Sequence, residues 1–390
     1  MEIKRTISTN KTGRWFEIML SSLSQRILSE EWSLALKICD ECLDIIWEKL
    51  NTGYWKDVDM VWRHAYTYIT TASVYVQYQK ANCDEVTFFP YRDLIKKCDM
   101  GLLMGAPSAD NILSQVAAYF KDALLKLQTS TENPDSTLNS YTAFDRIQKP
   151  DMKLENPIET LSLPSIDAFR LKFYDSHTPC KIRDSMNHWP AMSTRRWTLS
   201  YINHIAGCRT VPVEVGMKYT DENWTEKLML LSDFVTDYLI KGAETQGYLA
   251  QHQLFNQIPE LEQDICVPTY CCLSELTEDV DINAWFGPKH TVSPLHYDPK
   301  HNFLCQVVGY KYVKLFSQSQ TDCLYPHEGA MLENTSQVDL ENPDLEKFPK
   351  YSKAKFEECI LAPGEMLYIP PKYWHFVKSL SPSFSVSFWF

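Results

Sequence analysis

Hydrophobic residues recur with one period in the first third of the chain and with another in the rest, and no single layer of structure satisfies both. From Arg14 to about Thr129 the spacing is helical: Phe16, Met19, Leu20 and Leu23, then Leu34, Leu36, Ile38, Leu43, Ile45 and Ile46. Such spacing lays an apolar stripe along one side of a helix, so antiparallel helices are expected. Further helices are predicted at about 55–80, 84–103 and 109–127, with Asn51-Thr-Gly53 and Gly105-Ala-Pro-Ser108 as breaks, making four to six in all. Beyond residue 157 the apolar runs are short and rich in β-branched and aromatic residues, among them Val211–Val215, Ile282–Phe286, Phe303–Val308, Tyr312–Phe316 and Met366–Ile369. Many short strands make a sandwich or a barrel. The final run alternates strictly, with Phe384, Val386, Phe388 and Phe390 on one face and Ser383, Ser385, Ser387 and Trp389 on the other.

The two patterns are separated by residues 130–157, rich in Ser, Thr, Asn, Asp and Pro, as an exposed connection is. The expected organisation is therefore a helical domain over 1–129, a linker over 130–157 and a strand-rich domain over 158–390, an α+β chain. At 390 residues and 44% hydrophobic content it can bury two cores. Lys and Arg number 38 against 50 Asp and Glu, a formal net charge of −12, which argues against direct nucleic-acid binding and favours cationic partners. Twelve cysteines show no framework spacing, the N-terminus lacks the apolar run of a secretion signal, and no stretch is apolar for long enough to span a membrane. Reduced thiols, and hence nucleus and cytoplasm, are expected. No two glycines sit two residues apart, so GxGxxG is absent; no P-loop, GxSxG or HExxH occurs either, and no internal repeat is visible.

One constellation carries chemistry. In His296-Tyr297-Asp298 the imidazole and the carboxylate fall on one face of an extended segment, while Tyr297 points away. His375 closes Gly364-Glu-Met-Leu-Tyr-Ile-Pro-Pro-Lys-Tyr-Trp-His, a strand and turn that a barrel sets beside the first. Two neutral imidazoles and one carboxylate form a triangular face that leaves positions open on an octahedral Fe(II). Lys311 opens a strand whose same-face neighbours, Val313 and Leu315, are apolar, so its ammonium calls for a bound anion; Lys314 lies on the alternate face, and periodicity leaves open which lysine turns inward.

These residues keep company with Trp285-Phe-Gly-Pro, Ser293-Pro-Leu-His-Tyr-Asp-Pro, Asn302-Phe-Leu, Gly309-Tyr-Lys-Tyr, Asn334-Thr-Ser-Gln-Val-Asp and Ile369-Pro-Pro-Lys-Tyr-Trp-His. Taken in order, the motifs resemble the Jumonji-C family of 2-oxoglutarate oxygenases over about Pro157 to Phe390, and most closely its arginine-hydroxylating members. The resemblance implies a double-stranded β-helix, or cupin-like barrel, with Fe(II) held by His296, Asp298 and His375. It implies 2-oxoglutarate on Lys311, assisted by Ser293, Asn302 and Tyr248, with O2 as co-reactant. Ser293 and His296 have opposite parity on a straight strand, so a bulge or bend at Pro294 is expected. Tyr297, between the ligands, departs from the pattern of near relatives, which carry an amide there. For the substrate the resemblance implies an arginine side chain in a protein or peptide, histone tails included, beside Glu214 and Trp285. Trp389 is expected to close the pocket wall or to complete the core.

Two other functions stay open on these residues. N-methyl-lysine demethylation would use the same iron site but needs an aromatic cage around the methylammonium. A non-catalytic chromatin-interaction module would work through the helices and leave the triad idle. Cys39-Asp-Glu-Cys42 lacks a second pair at zinc spacing and is expected to be core. His290 and His301 are expected at solvated turns, and Asp339, Glu341, Asp344 and Glu346 in an exposed acidic insert.

Overall fold

A computed structural model describes residues 12–54, 57–84, 89–108, 110–129, 144, 147–216, 224–274, 279–329 and 332–390. The chain forms two compact units. In the first, five helices follow one another among the described residues: α1 (Arg14–Leu28), α2 (Trp32–Leu50), α3 (Met60–Cys83), α4 (Tyr91–Met104) and α5 (Ile112–Thr129). Helix α3 begins five residues later than the apolar pattern predicts, because the Asp59 carboxylate accepts from the Val61 N–H and caps it there. Helix α4 begins after Pro90, whose ring cannot continue a helix behind it.

The predicted stripes do meet. Phe16 and Leu23 of α1 pack with Ala35, Cys39, Cys42 and Ile46 of α2 and with Ala65 and Ile69 of α3. Burial pushes the Cys39 and Cys42 thiols up to about 12, so both are protonated core residues. Residues Cys208–Thr210 and Asn256–Ile258 cluster with these helices. There the buried Asp99 carboxylate of α4 accepts from the Arg209 guanidinium, the Thr210 N–H and the Gln257 carboxamide.

The second unit holds two sheets. Its strands are β1 (Thr160–Ser162), β2 (Cys180–Arg183), β3 (Thr210–Val215), β4 (Thr225–Leu230), β5 (Gly247–His252), β6 (Asp281–Gly287), β7 (Val292–His296), β8 (Asn302–Val308), β9 (Lys311–Phe316), β10 (Glu357–Leu361), β11 (Met366–Ile369), β12 (Trp374–Ser379) and β13 (Ser383–Trp389). The larger sheet runs β1-β2-β11-β8-β13-β6-β5-β3-β4 and the smaller β10-β9-β12-β7. From β6 to β9 successive strands alternate between the sheets, and from β10 to β13 they do so again, which winds the chain as a double-stranded β-helix. Gly309 makes the turn from β8 to β9 at φ +78°, where a Cβ would stand 2.1 Å from the Pro382 carbonyl oxygen.

Between the sheets lie Leu304, Val313, Leu315, Leu361, Leu367 and Val377. The alternation of β13 does not separate core from solvent: Ser383, Ser385 and Ser387 are as buried as Phe384, Val386 and Phe388. The phenylalanines pack outward on a further aromatic layer, Phe384 on Trp197 at 4.4 Å and Phe388 on Trp189 at 5.9 Å. The serines face the barrel interior, where their hydroxyls pair with Gln306, Trp285 and Ser379. Much of the expected 130–157 connection lies outside the described residues. Its last part is tied down, the Asn156 carbonyl accepting from the Glu358 N–H and Pro157 bridging to Glu358.

Candidate metal centre

His296 ends β7 and His375 is the second residue of β12, and the two are directly opposed across the antiparallel pair. On the same strands Val377 opposes Ser293, so three steps along β7 match two along β12. That is a bulge at Pro294, a residue with no N–H for the ladder, and it brings Ser293 round to the face of His296. Asp298 follows β7, its carbonyl taking the Lys372 N–H at 2.7 Å. Among the described residues these three are the one group of His, Cys, Asp or Glu side chains placed to share an ion, with ligand atoms all within 4.8 Å of one another. The imidazole centroids are 4.2 Å apart, and His375 Nε2 lies 3.6 Å from Asp298 Oδ2.

The backbone sets the tautomers. His296 Nδ1 is 2.7 Å from the Pro294 carbonyl oxygen and His375 Nδ1 is 3.0 Å from that of Tyr373. A carbonyl only accepts, so each Nδ1 carries the proton and each Nε2 offers its lone pair to the centre. Burial, and then the neighbouring His296, lowers the His375 pKa to about 4 and keeps the ring neutral. Tyr297 points away, edge-on to Trp374 at 4.8 Å, and exchanges backbone and carboxamide bonds with Asn334. The 332–336 segment thus closes the free edge of β7, with Thr335 bridged to His296.

The triad opens on a pocket that is also lined by Lys311, Asn302, Ser293, Tyr248 and Trp285. Lys311 is 1% exposed, and its ammonium donates to the Tyr248 hydroxyl at 3.2 Å. No carboxylate among the described residues forms an ion pair with it, and burial pulls its pKa down to about 7. Burial also raises the Tyr248 pKa, which leaves the phenol proton in place, and the Ser293 hydroxyl bonds to that phenol. Asn302 is 5% exposed with a buried Oδ1 that has no partner. A buried cation without an anion, ringed by hydroxyls and a carboxamide, fits a carboxylate ligand. Lys314 lies outside, 3.8 Å from the Phe356 ring centroid, so Lys311 is the lysine that turns inward.

Comparison with known proteins completes the picture. Residues 167–390 match a family described as a cupin-like domain, and residues 32–132 match one described as KDM8-like, N-terminal ARM repeats. The chain is 47% identical to lysine-specific demethylase 8 of Danio rerio over 356 residues, covering 89% of this chain and 85% of that protein. To lysine-specific demethylase 8 of Xenopus tropicalis it is 39% identical, covering 89% and 86%. To the human bifunctional peptidase and (3S)-lysyl hydroxylase JMJD7 it is 29% identical, covering 54% and 77%. The chain belongs to the Jumonji-C family. It is accordingly a 2-oxoglutarate oxygenase, of a family that works with Fe(II). The ARM match corrects the expectation of no repeat: what recurs in such helices is a packing pattern with little residue identity.

Glu214, expected in the Jumonji-C pocket, and Trp389, expected to close its wall or to complete the core, are not among the residues that line the cavity. Glu214 of β3 opposes Tyr248 of β5 and is absent from the cavity wall; its half-buried carboxylate takes the Trp224 Nε1–H at 3.2 Å, and burial raises its pKa. Trp389 is on the interior face of β13 but at the strand's end, also outside the wall, with a buried Nε1 that has no partner. Trp285 does line the cavity, its Nε1–H given to Ser387 Oγ at 2.9 Å. His301 is not solvated as expected: it stacks on Tyr174 at 4.3 Å, bonds to the Tyr368 hydroxyl at 2.8 Å, and burial lowers its pKa to about 4. His290 is exposed, as is the acidic insert, where Glu341 pairs with Lys378 at 2.6 Å. Sequence reasoning missed Leu304, Ile369 and Val377 in the wall. Two of them were signalled by parity, Leu304 two residues from Asn302 and Val377 two from His375.

Proposed function

We propose that this oxygenase hydroxylates arginine side chains of target proteins at carbon. In this reading His296, Asp298 and His375 hold Fe(II) through two Nε2 atoms and one carboxylate oxygen. Lys311 takes the distal carboxylate of 2-oxoglutarate, with Tyr248, Ser293 and Asn302 as hydrogen-bonding partners. When bound, iron and the oxo acid supply the oxidising power that turns O2, 2-oxoglutarate and a C–H bond into C–OH, succinate and CO2. The chain's own work is to fix the imidazole tautomers, to neutralise the acid with a buried ammonium and to hold the target carbon beside the centre.

The observation that carries the arginine assignment is the Glu214 carboxylate, which stands just beyond the cavity wall beside one of its lining residues, where the charged end of a long side chain entering the cavity would reach it. It is half-buried, held on one oxygen by Trp224 Nε1 and placed across from Tyr248, which lines the cavity. A guanidinium offers the planar fork and the charge that such a site lacks. A methylammonium calls for aromatic walls on several sides, and only Tyr248 and Trp285 among the cavity residues are of that kind. Demethylation is the second reading because it is in the names of the Danio and Xenopus relatives. The substrates proposed are basic protein segments, histone tails among them, met in nucleus and cytoplasm.

The test is anaerobic loading with Fe(II) and 2-oxoglutarate, then O2 with arginine peptides and, separately, methyl-lysine peptides, followed by mass spectrometry and a formaldehyde assay. Arginine hydroxylation predicts one added oxygen with no formaldehyde. Loss of a methyl group with stoichiometric formaldehyde would put demethylation in its place, and absence of succinate in every arm would leave a non-catalytic interaction module.

A further inference from the structure

Tyr297 stands between two members of the triad, and two rigid peptide planes that meet at its Cα set the direction of one ligand from the other. One plane carries the Tyr297 N–H and the other the Tyr297 carbonyl, so pinning both groups fixes the bend of the chain from His296 to Asp298. Asn334 pins both. Its backbone carbonyl takes the Tyr297 N–H at 3.0 Å, and its side-chain NH2 donates to the Tyr297 carbonyl oxygen at 3.0 Å. The segment that carries Asn334 is itself tied down: the Thr335 N–H reaches the Leu332 carbonyl, the Ser336 N–H reaches that of Leu295 in β7, and the Thr335 carbonyl takes the His327 N–H. His296 has further anchors in its pairing with His375 and its ring bond to the Pro294 carbonyl. Asp298 lies past the end of β7, where the Lys372 N–H grips the peptide plane behind it and the plane ahead of it falls to Asn334. We infer that Asn334 is a positioning residue for the metal: its carboxamide fixes the Tyr297–Asp298 peptide and so holds the Asp298 carboxylate on the side where the two Nε2 atoms meet, in the metal-free chain as in the loaded one. This inference rests on the reading of the triad as the site of a divalent ion.

Nickel tests it on the full-length protein, because Ni(II) binds a given site more tightly than ferrous iron and leaves a variant with two histidines a measurable affinity. Affinity is read by competition with a chromogenic chelator. Asn334→Ala should weaken nickel binding about ten- to a hundredfold, as the loss of a residue that orients a ligand does. In an Asp298→Ala background the same substitution should cost less than about twofold, since the carboxylate it orients is gone. An equal cost in both backgrounds would mean that Asn334 merely stiffens the fold and overturns the inference, as does unchanged affinity in Asn334→Ala. Asn334→Asp keeps the size but sets a carboxylate against a carbonyl oxygen, two acceptors that cannot bond, so it should hold nickel no better than Asn334→Ala. Wild-type affinity in Asn334→Asp is contrary. Hydrogen exchange on wild type gives a reading that needs no variant to fold. The Tyr297 amide should be protected in metal-free protein, and exchange at the rate of a free amide until nickel is added would mean that the ion orders this stretch, against the inference. Wild type that takes up no nickel removes the reading of the triad and this inference together, a result distinct from nickel held without coupling to Asn334.

Discussion

Lys311 and the two imidazoles are governed by what surrounds each of them, and their chemistry can be predicted one residue at a time. Lys311 has its pKa pulled to about 7 by burial, and a bound carboxylate would restore its charge. Below pH 7 the ammonium is already present, so 2-oxoglutarate affinity should be level there. Above it each pH unit makes binding take up a proton, and affinity should fall about tenfold per unit, as calorimetry across that range would show. Lys311→Met should lose affinity by more than roughly thirtyfold yet raise the melting temperature of the ligand-free protein, since an unpaired buried cation gives way to an apolar side chain. A lower melting temperature would mean that the cation has a partner in the free state. These residues were legible early because apolar neighbours in period two leave a lysine needing an anion. His301 was not, because the rings that bury it, Tyr174 and Tyr368, lie 127 and 67 residues away.

Within the strands, two local features decide where side chains point. The bulge at Pro294 was foreseeable, because a strand that carries both Ser293 and His296 on one face needs an extra residue, and proline is where a ladder can spare an N–H. The serine face of β13 was readable as a face but not as an interior, since period two reports two sides without saying what covers each. Ser385 gives its hydroxyl to Gln306 Oε1 at 2.6 Å in that interior. Ser385→Val should therefore strand a buried carbonyl and crowd the wall, destabilising the barrel by about 1–3 kcal/mol. Thermal unfolding measures this, and a neutral result would mean that the interior has room to relax.

Across the whole chain, the change of hydrophobic period marked the passage from helices to sheets, while the ARM character of the helices escaped notice because their likeness to one another is one of packing. The Asp99–Arg209 pair was equally silent in sequence, its partners lying 110 residues apart. In the helical unit that carboxylate ties two further chain segments to α4, so Asp99→Ala should cost about 3–5 kcal/mol by taking the carboxylate from a buried guanidinium, a backbone N–H and a carboxamide. Urea unfolding followed by a probe in the helices would register it. All the chemistry, however, converges on one place, where strands β7 and β12 set two Nε2 atoms and a carboxylate around a common point. The direct measurement is anaerobic equilibrium dialysis against ferrous iron with metal analysis of the retained protein. Wild type should hold about one iron per chain, and His296→Ala, Asp298→Ala and His375→Ala close to none. Iron retained at the same stoichiometry by all three variants would contradict the account at its root.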